Sequence, residues 1–192
     1  MKAEWVDRWK GGTVICIGSG PSLTEDDCER ARLAGVPTIV TNTTFQRCPW
    51  ADVLFGFDVG WWRQYRSEVD AVFKGRKVTC SPSARQFGCD VLAAVPWFTS
   101  FHNSGANAVS LAITAGAARV LLLGFDCQRT GGQTHWHGDH PKALSNARSI
   151  ANWQAHFRNV ARLARARGAE IINCSRETAL DCFPRRALED VI

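Results

Sequence analysis

An apolar run, Thr13-Val14-Ile15-Cys16-Ile17, leads straight into Gly18-Ser19-Gly20-Pro21-Ser22-Leu23, and the residues after it read as a helix. A strand, a glycine turn and a helix in that order read as the first βα unit of a nucleotide-binding α/β domain. Glycine in the turn allows φ > 0 and lets a ligand come close to the backbone. Thr24 then reads as an N-cap, with Glu25, Asp26 and Asp27 in the first helical turn. Three carboxylates at the positive end of that helix would repel a bound phosphate. An anion is therefore expected on the loop amides and Ser22, off the helix axis.

The same alternation recurs along the chain. Apolar runs at Pro37–Thr41, Asp52–Phe55, Lys77–Cys80, Arg119–Leu123 and Ala169–Asn173 read as further strands. Three of them end in polar turns with chemistry to offer: Asn42-Thr43-Thr44, Gly56-Phe57-Asp58 and Gly124-Phe125-Asp126. Helices are expected over Gly60–Phe73, from His102-Asn103-Ser104-Gly105 to Ala115, and from about Ala143 to Arg167, where Gly168 stops the last one. Val91–Ala94 reads as a short strand, Met1–Lys10 as a short amphipathic helix carrying Trp5 and Trp9, and Arg176–Ile192 as short helical turns. Strands alternating with helices imply a Rossmann-like three-layer α/β fold, a mostly parallel sheet with helices on both faces. At 192 residues the chain fits a single nucleotide-binding domain spanning 1–192, with 1–12 as an N-terminal extension and 127–141 as an active-site loop.

Ligands of such sheets bind beyond the carboxyl ends of the strands. The candidate nucleotide contacts gathered there are Gly18, Ser19, Gly20, Pro21, Ser22, Asn42, Asp58, Asn103, Ser104 and Gly105. Asp58 and Asp126 suit ribose hydroxyls, or a Mg²⁺ ion bridging phosphates, and Mg²⁺ is the one cofactor these residues suggest. The loop His135-Trp136-His137-Gly138-Asp139-His140 has ligand types suited to zinc. The preferred reading is instead that His140 is a general base, since its ordinary pKa lies near working pH; no metal ligand is assigned. His140 and Asp126 form the candidate catalytic pair, and Arg176 and Lys142 are candidates to clamp diphosphate oxygens.

Composition narrows the class. The formal charge of +5 comes largely from arginine-rich helix faces such as Arg158, Arg162, Arg165 and Arg167, and no nucleic-acid-binding motif accompanies them. Eight cysteines occur without a CxxC pair, and Cys16, Cys80 and Cys174 fall in or beside strands; reduced thiols in a cytoplasmic protein are expected, and no zinc–cysteine site. No apolar run is long enough to span a bilayer, and the charged N-terminus lacks the pattern of a cleaved leader. Of the eight tryptophans, Trp61, Trp62 and Trp136 sit beside polar loops, where a base or sugar could stack.

The ordered set Gly18-Ser19-Gly20-Pro21-Ser22-Leu23, Asn42, Asn103-Ser104-Gly105 and Gly124-Phe125-Asp126 resembles the MptE-like superfamily. That superfamily includes Maf-type flagellin glycosyltransferases and a 6-hydroxymethylpterin diphosphokinase. The set is also similar to the bacterial sialyltransferases of the CstII type, whose nucleotide loop reads Asn-Gly-Pro-Ser-Leu. In those enzymes a histidine precedes the last long helix, and His140, followed by Pro141-Lys142-Ala143, stands in the matching place. The resemblance runs from Val14 to about Leu188. Ser19 departs from it by replacing the loop asparagine, and the paired donor-binding tyrosines have no match in a chain whose one tyrosine is Tyr65. The resemblance implies a nucleotide-dependent transferase of the glycosyltransferase type, moving a sugar from a nucleotide-sugar donor to an acceptor hydroxyl. The alternatives are diphosphate transfer from ATP with Mg²⁺, as in the diphosphokinases, and a nucleotide-binding module without chemistry. A homo-oligomer is left open.

Overall fold

The computed structural model describes residues 2–92, 97–141, 144 and 150–192. Seven strands form one sheet: β1 (Thr13–Ile17), β2 (Thr38–Thr41), β3 (Val53–Phe55), β4 (Arg76–Thr79), β5 (Asp90–Val91), β6 (Arg119–Leu123) and β7 (Glu170–Asn173). Every pairing is parallel, and the strand order is β5-β4-β3-β2-β1-β6-β7. The chain therefore steps outward from β1 to β5, returns across the sheet, and resumes on the other side of β1. That reversal between β1 and β6 is where a crevice opens in a doubly wound sheet.

Strand alternation builds two cores, because successive side chains point to opposite faces. Val14 and Cys16 of β1 face one core with Val120 and Leu122 of β6; Ile15 and Ile17 face the other with Leu121 and Leu123. The first core is covered by α4 (Ser104–Thr114) and α5 (Ile150–Arg167), the second by α2 (Glu25–Leu33) and α3 (Val59–Val72). The result is a helix–sheet–helix sandwich, the expected Rossmann-like arrangement. Small residues such as Ala106, Ala108 and Ala112 let α4 lie against β1, β2, β3 and β6, and from Ala106 to Thr114 every residue is buried.

The edges differ from expectation in detail. The N-terminal helix α1 is only Lys2–Trp5, and Asp7 at φ 58° and Gly11 at φ 72° turn the chain after it. Trp5 and Trp9 still pack on the body, edge to face at 5.8 Å. Near the C-terminus a single 3-10 turn, Leu188–Asp190, and a bridge from Arg185 to Asn173 replace the expected run of turns. β5 covers only the start of the strand expected at 91–94; Ala93 and Ala94 lie outside the described residues, as do Lys142 and much of the approach to α5. All eight cysteines are free thiols. No described helix is long and apolar enough to cross a membrane.

Candidate functional site

A cleft of about 550 Å³ opens over the carboxyl ends of β1, β2, β3 and β6. It collects Gly18, Ser19, Gly20, Asn42, Asp58, Asn103, Ser104, Gly105, Asp126, His135 and His140 from the expected set. Pro21 and Ser22 are not on its wall, and neither Lys nor Arg is among the described residues that line it.

The glycine loop packs against protein, where the sequence suggests a ligand. The Gly18 and Gly20 N–H groups donate to the carbonyls of Leu123 and Gly124, each at 2.8 Å. A Cβ on Gly18 would lie 2.6 Å from the Gly124 carbonyl oxygen, and one on Gly20 would lie 2.0 Å from Asp126 Oδ1. The turn after β6 thus fills the space that the glycines leave. Ser22 is spent in the same contact: its N–H donates to Asp126 Oδ2 at 2.9 Å and its hydroxyl to Oδ1 at 2.7 Å. Thr130 Oγ1 adds a third donor to Oδ2 at 2.8 Å. Asp126 is 1% exposed. Burial pushes its carboxyl above the usual range, while the Ser22 and Thr130 hydrogen bonds pull the other way. Both Ser22 donors are thus on Asp126, which ties the glycine loop to the turn after β6.

The N-terminus of α2 is closed as well. Thr24 and Asp27 form a reciprocal capping box, and Arg176 binds the Asp27 carboxylate through Nε and Nη2 at 2.9 Å. Arg176 is therefore engaged with α2 and not free to clamp a diphosphate in the cleft. The N-terminus of α4 is open. Asn103 caps it by accepting the Ala106 N–H at 2.9 Å, no acidic residue lies in its first turn, and the Ser104 and Gly105 amides find no protein acceptor among the described residues. Unpaired N–H groups at the positive end of an eleven-residue helix favour an anion.

Ser104 also knits the strand ends together. Its hydroxyl accepts the Phe57 N–H at 3.1 Å and donates to Asn42 Oδ1 at 3.2 Å. Asn42, held at φ 48°, keeps its amide nitrogen unpaired beside the cleft among the described residues. His102 and Cys127 share that left-handed conformation, at φ 50° and 51°, and also line the cleft. Such conformations persist only where surrounding structure enforces them. Asp58 begins α3 without making a side-chain cap; burial raises its carboxyl and the nearby His140 lowers it.

The histidine loop folds back over the glycine loop. The Trp136 N–H donates to the Ser19 carbonyl at 3.0 Å, and His135 Nδ1 lies 3.0 Å from Ser19 Oγ. The rings of His135, His137 and His140 stand 4.7 to 5.1 Å apart, centroid to centroid. Burial holds His135 to about 4 and His137 to about 3, and it lowers His140 against the opposing pull of Asp139 and Asp58. All three are therefore neutral at pH 7. Among the described residues no three His, Cys, Asp or Glu side chains form a group that would hold a metal ion. Trp62 is buried with its Nε1 on the Gly56 carbonyl, and Trp136 lies under the Arg47 guanidinium at 4.0 Å; only Trp61 of the three singled out lines the cleft.

Some cleft residues escape a reading of the sequence. Phe57, His102, Trp153 and Phe157 supply aromatic walls from three separate parts of the chain. His102 is adjacent to a recognisable cap and findable on that ground. Trp153 and Phe157 sit on α5 at the spacing of core positions, which carries no separate signal.

No family model matches the chain, and no curated protein does. Among solved structures it is similar to the TTHB071 protein from Thermus thermophilus, from a crystal soaked with ZnCl2. The two share 16% identity over 84% of this chain and 55% of that one, with a TM-score of 0.21. The chain thus spans about 55% of that protein's length.

Proposed function

We propose that the protein is a nucleotide-dependent transferase of the glycosyltransferase type. What supports this reading is one observation: the unpaired amides at the start of α4, the unpaired Asn42 amide and the Asp58–His140 pair all border one cleft at the switch point of a parallel sheet. In this reading the donor phosphate sits on the Ser104 and Gly105 amides, where the helix end meets its charge. Asn42 hydrogen-bonds the ribose or base. His140, neutral at pH 7, takes the proton from the acceptor hydroxyl, and Asp58 stabilises the imidazolium that forms. Proximity of donor and acceptor in the cleft supplies the rest of the acceleration.

Diphosphate transfer from ATP is the second reading in the same cleft. The absence of Lys and Arg from its described walls tells against a polyphosphate arriving without a cation. A melting-temperature series with CMP, UDP and ATP, with and without Mg²⁺, separates the readings. The first predicts stabilisation by CMP or UDP that Mg²⁺ barely changes. Stabilisation by ATP and Mg²⁺ alone would favour the second, and no stabilisation at millimolar concentration would defeat both. His140→Ala leaving transfer intact would remove His140 from the reaction, whereas a wild-type protein that binds nucleotide and transfers nothing is a binding module.

A further inference from the structure

We propose that Ser19 is a nucleophile, activated by His135, toward an electrophilic phosphorus ester held in the cleft. The inference needs the cleft to be a ligand site but does not need the ligand to be a nucleotide.

Position comes first. Ser19 follows the central strand β1 at the switch point and lines the cleft with its side chain half-buried. It is the one residue of Gly18-Ser19-Gly20 that can carry a side chain, since a Cβ at either glycine collides with the turn after β6. The backbone around it is fixed three ways: by the Gly18 and Gly20 amides on β6 and its turn, and by the Ser19 carbonyl on the Trp136 amide. A hydroxyl so held has lost little freedom still to lose on reaction. A reactive serine on a sharp turn between strand and helix is a recurrent arrangement.

The partner follows. His135 is 9% exposed, and its Nδ1 lies 3.0 Å from Ser19 Oγ, within reach for proton transfer. In the tautomer protonated at Nε2, the Ser19 hydroxyl donates to Nδ1. Burial holds the ring to about 4, so it is neutral at pH 7 and its Nδ1 lone pair faces the hydroxyl in that tautomer. The stacked His137 ring, 5.1 Å away, limits its rotation. The Ser104 and Gly105 amides line the same cleft and offer donors for charge on phosphorus oxygens.

The step balances without a further reagent. The Ser19 oxygen forms a bond to phosphorus, the bond from phosphorus to the leaving oxygen breaks, and the serine proton passes to His135 Nδ1. His135 then returns that proton to the leaving oxygen. In the second half a water or hydroxyl attacks phosphorus, the serine oxygen leaves, and it recovers a proton through the same imidazole.

A fluorophosphonate probe tests this on the full chain, since fluoride serves as leaving group and no nucleotide is required. The expected result is one phosphonyl adduct per chain, mapped by peptide mass spectrometry to Ser19. It should be absent in Ser19→Ala and form about 100-fold more slowly in His135→Gln. Wild-type protein without an adduct on Ser19 overturns the proposal, whether or not the variants fold. An adduct forming equally fast in Ser19→Ala, or at an unchanged rate in His135→Gln, also overturns it. The nucleotide reading stands or falls separately, on the melting series.

Discussion

Asp126, at the end of β6, ties two loops together. Its carboxylate receives the Ser22 amide and hydroxyl and the Thr130 hydroxyl, and water scarcely reaches it. Ser22→Ala removes one hydrogen bond to a buried carboxylate and should cost about 1.5–3 kcal/mol of stability, read by urea denaturation. Gly20→Ala should be worse, because its methyl would meet the Asp126 oxygen at 2.0 Å. Gly18, Gly20 and Ser22 are legible as a tight turn after β1, but not as a turn filled from within. A glycine loop that leaves room for a ligand and one crossed by a neighbouring strand end share the same residues. The histidines make a pH prediction at the same scale. His135 and His137 are held to about 4 and about 3 in the fold, below their ordinary value of 6.5. The unfolded chain therefore binds more protons as pH falls below 6.5, and stability present at neutral pH is lost on the way down to about 4 for His135 and about 3 for His137. Asp58 and Asp126, raised by burial, act in the opposite sense. Comparing denaturation of the wild type and His137→Gln at about pH 7 and about pH 4.5 isolates the imidazoles. The variant should show the smaller loss.

Helices α2 and α4 both begin beside the strand ends, and they differ in what their first turns can accept. The first turn of α2 satisfies itself through Thr24 and Asp27, with Arg176 neutralising the carboxylate. Its sequence announces this: a threonine three residues before an aspartate is a capping pair, and three acidic residues repel anions. The start of α4 carries a cap but no charge, so its amides remain open. Arg176→Ala should cost no more than about 1 kcal/mol, because the arginine side chain is half exposed, and it should leave nucleotide affinity unchanged. Weakened nucleotide binding in that variant would restore Arg176 to the cleft. Gly105→Ala should do the reverse. Its Cβ would lie 2.9 Å from the Phe125 ring, pushing the start of α4 out of place, and nucleotide-induced stabilisation should be lost from a protein that still unfolds cooperatively.

At the scale of the molecule, the alternation of apolar runs with helical stretches is enough to foresee a parallel sheet with helices on both faces. It suffices because a strand buried on both faces has no polar side, as β1 and β6 show from Val14 to Ile17 and from Val120 to Leu123. The shared cleft is legible from the same pattern, since parallel strands bring their carboxyl ends to one edge. Its wall is not. Phe57 follows β3 while Trp153 and Phe157 lie on α5, and only the closed fold brings them to one cavity. Folding also redistributes the polar groups: Ser22, Asp126 and Arg176 go to internal contacts, while Ser104, Gly105 and Asn42 keep donors facing outward. The proposed function therefore rests on a donor phosphate held by the start of α4 and not by the glycine loop. A crystal structure with CMP or UDP bound decides between the two. Phosphate oxygens should lie within hydrogen-bond distance of the Ser104 and Gly105 amides, with the Ser22–Asp126 contacts intact. A phosphate seated on Gly20 and Ser22 with those contacts broken, or a nucleotide bound outside the cleft, would contradict the proposal.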